Sequence, residues 1–207
     1  MARTILIADD HPMCVAALGM AARQVEPDAV IEQVGTISDA TGLAQGRKFD
    51  LILLDLGLPD VQGLAGLLML RRLQPDATIA IVTSSDEPAM MRRAAREGAK
   101  GFIPKSEPMS AMVTAITTLL SGETSFPSEM LEGADPVEVP SLIGELSPAQ
   151  FRVLRAAADG SQNKQIAYEL GIAETTVKTH FAQIFKKLHV TNRTQAILAL
   201  QALDVTA

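Results

Sequence analysis

Residues 4–10 read Thr-Ile-Leu-Ile-Ala-Asp-Asp, and this stretch decides the fold of the first half of the chain. The apolar run is too short for a helix and has no polar residue at alternate positions. Such a run suits a strand buried on both faces of a parallel sheet. The pattern returns at Ala29–Val34, Leu51–Leu54, Thr78–Val82 and Gly101–Pro104. Amphipathic stretches of about 10–14 residues, long enough for helices, lie between the runs. A repeat of strand and helix predicts an α/β domain, a doubly wound parallel sheet with helices on both faces. Five strands predict the flavodoxin-like order 2-1-3-4-5. This domain is expected over residues 1–121.

Open parallel sheets bind ligands at the carboxyl ends of their strands. The first strand ends in Asp9-Asp10, the third in Asp55, the fourth in Thr83-Ser84 and the fifth in Pro104-Lys105. Clustered carboxylates repel each other unless a cation joins them. A site of one or two carboxylates plus water is what Mg²⁺ prefers. A carboxylate can also act as a nucleophile and become an aspartyl phosphate. Lys105 would then pair with a phosphoryl oxygen as a point charge, and Thr83 would donate a hydrogen bond to another. Acidic residues at strand ends also cap helices, and Asp10 before His11-Pro12 could do so. Capping does not explain why all five groups meet on one edge.

Beyond residue 121 the pattern breaks. Residues 122–145, with Gly122, Pro127, Gly133, Pro136 and Pro140, have no clear period and are expected to be a linker. From Ser147 onward the chain is expected to be helical. Ser147-Pro148-Ala149-Gln150 has the form of a capping box with proline in the first turn. A second helix is expected over Asn163–Leu170, ending at Gly171, and a third over Glu174–Leu188. Asn192 can cap a fourth, over Arg193–Leu203. A short link carrying glycine between two helices is the helix-turn-helix arrangement. On the third helix Val177, Phe181, Ile184 and Leu188 recur at helical spacing, which predicts the buried stripe. Thr175, Lys178, Thr179, Ala182 and Lys186 then face outward.

Net charge is −6 over 207 residues, which alone argues against a nucleic-acid partner. Its distribution reverses that. Residues 1–121 hold 11 basic and 14 acidic residues, residues 122–145 hold 6 acidic and no basic, and residues 146–207 hold 7 basic and 4 acidic. A positive module behind an acidic stretch points to a polyanion as its ligand. Cys14 is the single cysteine, which excludes an internal disulfide and fits a small apolar position. No apolar run reaches the roughly 18–20 residues of a membrane span, and no signal peptide precedes the first strand, so a cytoplasmic protein is expected.

The segments Ile7-Ala8-Asp9-Asp10-His11, Leu54-Asp55-Leu56-Gly57-Leu58-Pro59, Thr83-Ser84 and Gly101-Phe102-Ile103-Pro104-Lys105 resemble the receiver domains of two-component response regulators. The resemblance implies that Asp55 is the phospho-acceptor, that Asp9, Asp10, Asp55 and the Gly57 carbonyl hold Mg²⁺, and that Thr83 and Phe102 form a switch pair. Thr83 would move toward the phosphoryl group and Phe102 would turn inward behind it. Residues Gly160–Ala167, Gly171–His180 and Lys187–Ala196 are similar to the LuxR-type helix-turn-helix. Together the two resemblances imply the NarL/FixJ class. They imply a sensor histidine kinase as phosphoryl donor, double-stranded promoter DNA as ligand, RNA polymerase as a partner at the promoter, and a homodimer on phosphorylation or on DNA. Lys178, Thr179 and Thr175 would meet the major groove, while Asn163, Lys164, Lys186, Lys187 and Arg193 would lie near the DNA backbone. Ala173 stands where a Ser or Thr usually caps the recognition helix, a loss of roughly 1 kcal/mol.

Two other functions compete. An aspartyl-phosphate phosphatase would carry a second carboxylate two residues after the nucleophile, and that position is Gly57. No enzymatic service to other substrates is therefore expected, only the receiver's own phosphorylation and dephosphorylation. A DNA-binding regulator whose receiver serves only for dimerisation or partner binding is the remaining alternative, which the complete set of pocket residues disfavours.

Overall fold

The computed structural model describes residues 2–84, 87–126 and 141–204. The chain divides into two compact units, Met1–Pro136 and Val137–Ala207. In the first, β1 (Thr4–Ala8), β2 (Val30–Val34), β3 (Leu51–Asp55), β4 (Thr78–Thr83) and β5 (Gly101–Pro104) alternate with α1 (Pro12–Val25), α2 (Ile37–Gly46), α3 (Ala65–Leu73), α4 (Pro88–Arg96) and α5 (Met109–Leu120). All five strands are parallel, in the order β2-β1-β3-β4-β5. The order expected from the sequence is therefore the order found.

The continuous apolar runs have the burial they imply. Ile5–Ala8, Leu51–Leu54 and Ile79–Val82 have no exposed surface. Side chains alternate between the two faces of the sheet. Ile5, Ile7, Leu51, Leu53, Ala80, Val82 and Ile103 pack with Leu18, Ala21 and Ala22 of α1 and with Met112, Ile116 and Leu119 of α5. The alternate set, including Leu6, Ile52, Leu54 and Ile81, falls on the other face.

The stretch expected to be a linker is not uniform. Ser125 forms a parallel bridge to Gly101, its N–H donating to Lys100 O and its carbonyl accepting from Phe102 N, both at 2.9 Å. Residues 122–126 thus hold to the edge of the sheet. Its central part, 127–140, lies outside the described residues. A 3₁₀ turn at Ser141–Glu145 then buries Ile143, and Leu146 beside it, in the second unit.

That unit contains α6 (Pro148–Ala158), α7 (Asn163–Leu170), α8 (Glu174–Lys187) and α9 (Arg193–Asp204). Ser147 and Gln150 make the expected capping box at α6. Gly171 ends α7 in the left-handed conformation at φ 65°. Asn192 Oδ1 accepts from Gln195 N at 2.9 Å at the start of α9. Among the described residues, no helix is long and apolar enough to cross a membrane.

Candidate functional site

The pleat brings three charged groups to one place. Asp9 follows β1, Asp55 closes β3 and Lys105 follows β5. They share the parity of Ile7, Leu53 and Ile103, so they lie on the α1–α5 side of the sheet. Lys105 Nζ stands 2.8 Å from Asp55 Oδ2 and 2.9 Å from Asp9 Oδ2. Both carboxylates are 3% exposed. His11 N donates to Asp9 Oδ1 at 2.8 Å, and Gly57 N donates to Asp55 Oδ1 at 3.0 Å. Lys105 N donates to Thr83 O at 2.7 Å, joining the ends of β4 and β5 beside the pocket.

Burial by itself would raise the Asp9 pKa. The Cys14 thiol, the Lys105 ammonium and the His11 amide outweigh it and hold the carboxyl below its usual range. Lys105 behaves conversely, for burial lowers its pKa but Asp55 and Asp9 raise it further. Both groups are thus kept charged. Burial, and then Asp9, pushes the Cys14 thiol up to about 12. A thiol held in that range is a donor and not a nucleophile.

Asp9, Asp10, His11 and Asp55 each offer a ligand atom, all within 4.8 Å of one another. Three carboxylates face one ammonium, so negative charge remains uncompensated. Among the described residues, Asp9 Oδ2 is buried with no geometrically satisfied hydrogen-bond partner, and the Lys105 ammonium stands 2.9 Å from it. Oxygen donors with surplus charge and a free buried lone pair fit a hard divalent cation. His11 Nδ1 lies 2.7 Å from Asp10 Oδ1 and 3.3 Å from Asp9 Oδ1. The sequence reading gave His11 no role, although its place directly after an acidic pair was a usable signal. At Gly57 a Cβ would stand 3.3 Å from Asp55 Oδ2, so glycine keeps the Asp55 carboxylate clear of a side chain.

Thr83 is 6% exposed and Ser84 is exposed at the end of β4. Ile81 pairs with Phe102 and Thr83 with Pro104, so Thr83 and Phe102 belong to the same face of the sheet. Phe102 is buried, at 3% exposure.

In the second unit the buried stripe is as expected, with Val177, Phe181, Ile184 and Leu188 all buried. Thr175, Lys178, Thr179, Ala182 and Lys186 form the exposed face of α8, and Lys164 is exposed on α7. Lys178 pairs with Glu174 at 3.1 Å, and Thr179 Oγ1 donates to Thr175 O. Ala173 caps α8 with no side-chain hydrogen bond, as the sequence implied.

Two residues expected near the DNA backbone also make hydrogen bonds within the unit. Lys187 is half-buried, its Nζ donating to Glu145 O at 2.8 Å and to Gln150 Oε1 at 2.7 Å. Arg193 is also half-buried, bonded to Asn163 Oδ1, Ala157 O and Ser161 O. Burial draws its guanidinium below its usual range. Asn163, in turn, uses its side-chain oxygen on Arg193. Spacing along the chain placed these residues at helix ends but did not show which acceptors the fold brings to them.

The model of the response regulator receiver domain matches residues 5–117, and that of the bacterial regulatory proteins of the luxR family matches residues 144–200. The glycerol metabolism activator of Pseudomonas putida is 38% identical, covering 98% of this chain and 97% of its own. The transcriptional regulatory protein DesR of Bacillus subtilis is 30% identical, with 94% of each covered. The RcsB response regulator of Salmonella typhimurium superposes with a TM-score of 0.58 at 21% identity, covering 98% of this chain and 100% of its own, which is a likeness of fold.

Proposed function

Since this chain belongs to the response regulators that join a receiver domain to a luxR-type helix-turn-helix, we propose that Asp55 accepts a phosphoryl group and that the exposed face of α8 reads promoter DNA. The observation that carries the first part is the Lys105 ammonium at 2.8 Å from Asp55 Oδ2 in a pocket with uncompensated negative charge. An Asp55 oxygen attacks phosphorus, and the bond from phosphorus to the donor breaks. With a sensor histidine kinase the leaving group is an imidazole nitrogen. Lys105 neutralises charge on the transferred group, and the Thr83 hydroxyl donates to one of its oxygens.

Asp9, Asp10 and Asp55, with the Gly57 carbonyl, would hold Mg²⁺, which when bound supplies charge neutralisation and in-line alignment. His11 Nδ1 lies close enough to modulate that site. Reversal by water on the same phosphoryl group is the receiver's own chemistry, and no other substrate is served. Thr83 would move toward the phosphoryl group, with Phe102, on the same face of the sheet, as its switch partner.

On DNA, Thr175, Lys178 and Thr179 sit near the amino end of α8, where base edges are met, and Lys164 and Lys186 flank them toward phosphates. A homodimer, formed on phosphorylation or on DNA, would place two such helices on two half-sites and meet RNA polymerase at the promoter. A cytoplasmic location fits this reading.

Incubation with Mg²⁺ and acetyl phosphate, followed by intact mass, tests the acceptor. Wild-type protein should gain one phosphoryl group, and Asp55→Asn should gain none. An equal gain in the mutant would move the acceptor elsewhere. No gain in the wild type, together with unchanged DNA affinity after exposure to kinase, would favour a regulator that does not use phosphate.

A further inference from the structure

Arg193 opens α9, yet its guanidinium reaches three other helices. Nη1 donates to Asn163 Oδ1, at the first residue of α7, at 3.2 Å. Nη2 donates to Ala157 O in the last turn of α6 at 3.3 Å and to Ser161 O in the loop after it at 2.5 Å. The guanidinium lies over the Phe181 ring, with Cζ 5.0 Å from the centroid. Phe181 is 6% exposed and sits in the middle of the buried stripe of α8. A planar group with donors at fixed angles and a stacking face can make all four contacts at once, and an ammonium cannot.

We infer that Arg193 is a positioning residue that fixes the recognition helix α8 against α7 and thereby sets how well one DNA sequence is told from another. The inference rests on the DNA-binding reading above. Three of its five N–H bonds point to protein acceptors, so the fork is engaged within the unit in this arrangement. Base readout tolerates errors of only about 0.5 Å in the placement of contacting groups. Phosphate attraction tolerates more, and it comes from Lys164 and Lys186, both of which are exposed. Disturbing Arg193 should therefore remove discrimination and leave general affinity.

The test uses full-length wild-type protein, Arg193→Lys and Arg193→Ala. Each is titrated by fluorescence anisotropy against a duplex that the wild type enriches from a randomised pool, and against unselected random duplex, over a series of salt concentrations. Circular dichroism confirms that each variant is folded. Both variants should lose affinity for the enriched duplex by about tenfold or more while binding random duplex as the wild type does. Their salt slopes should stay those of the wild type. A phosphate contact gives a different result. Arg193→Lys would then keep wild-type affinity, and Arg193→Ala would weaken both duplexes alike and flatten the slope by about 0.9. That result would overturn the inference, as would full discrimination by folded Arg193→Lys. If Arg193→Ala does not fold, Arg193→Lys decides, because it keeps the charge and loses the fork. A wild-type protein that enriches no duplex would overturn the DNA-binding reading itself, a failure distinct from one confined to the variants.

Discussion

His189 has a φ of 53°, in the left-handed region where a side chain is strained. It follows Leu188, the C-cap of α8, and Val190 N donates back to Phe185 O at 3.0 Å. This is the Schellman arrangement, which normally takes glycine at the position His189 holds. α7 ends with the same bond, from Ile172 N to Ala167 O, and there the left-handed residue is Gly171. His189→Gly is therefore expected to stabilise the second unit by about 1 kcal/mol. For a unit of this size that is a rise of roughly 4–8 °C in Tm, measurable by calorimetry. A fall would mean that the imidazole makes contacts worth more than the strain. At this scale the meeting of Asp9, Asp55 and Lys105 was legible, because they lie at strand ends whose parity can be counted. The internal hydrogen bonds of Arg193 and Lys187 were not. The acceptors of Arg193 lie 30, 32 and 36 positions away, and no local pattern announces them.

Among the described elements, β5 is the shortest strand, with four residues at the sheet's edge. Its outer side is covered by Ser125 through two backbone hydrogen bonds. That cover needs Gly101. A Cβ there would stand 2.9 Å from Leu119 Cδ2 and 3.0 Å from Ser125 O, too close for either to remain in place. Gly101→Ala should cost about 1–3 kcal/mol, as overpacking does. A lower urea midpoint and faster hydrogen exchange at the Phe102 amide would show it. If exchange at Phe102 stays slow while stability falls, α5 has moved instead and Ser125 has held. The strands and helices were legible because each has a period set by burial. The strands are buried on both faces, and α6 carries its capping box in four residues. The Ser125 clasp was read as linker, since two backbone hydrogen bonds leave no mark on side-chain pattern.

At the scale of the whole chain, two hydrophobic cores of different architecture lie in two compact units. The charge imbalance that separates them was visible in the sequence, with the basic excess confined to the last 62 residues. A divalent cation should therefore act on one unit alone. It would bind among Asp9, Asp10 and Asp55, all in the first unit, and ligand that binds only folded protein stabilises by RT ln(1 + [L]/Kd). With Mg²⁺ at about ten times its Kd the gain is roughly 1.4 kcal/mol. Scanning calorimetry of the full chain should resolve two transitions. Mg²⁺ should raise the one carrying the receiver and leave unmoved the one that DNA raises. Asp10→Ala should abolish the Mg²⁺ shift, because Asp10 is the exposed carboxylate of the cluster and its loss leaves Asp9 and Asp55 paired with Lys105. Equal movement of both transitions would mean that the units unfold together. No movement at all would mean that Lys105 alone satisfies the two buried carboxylates and that the surplus charge of Asp10, beside His11, calls for no ion.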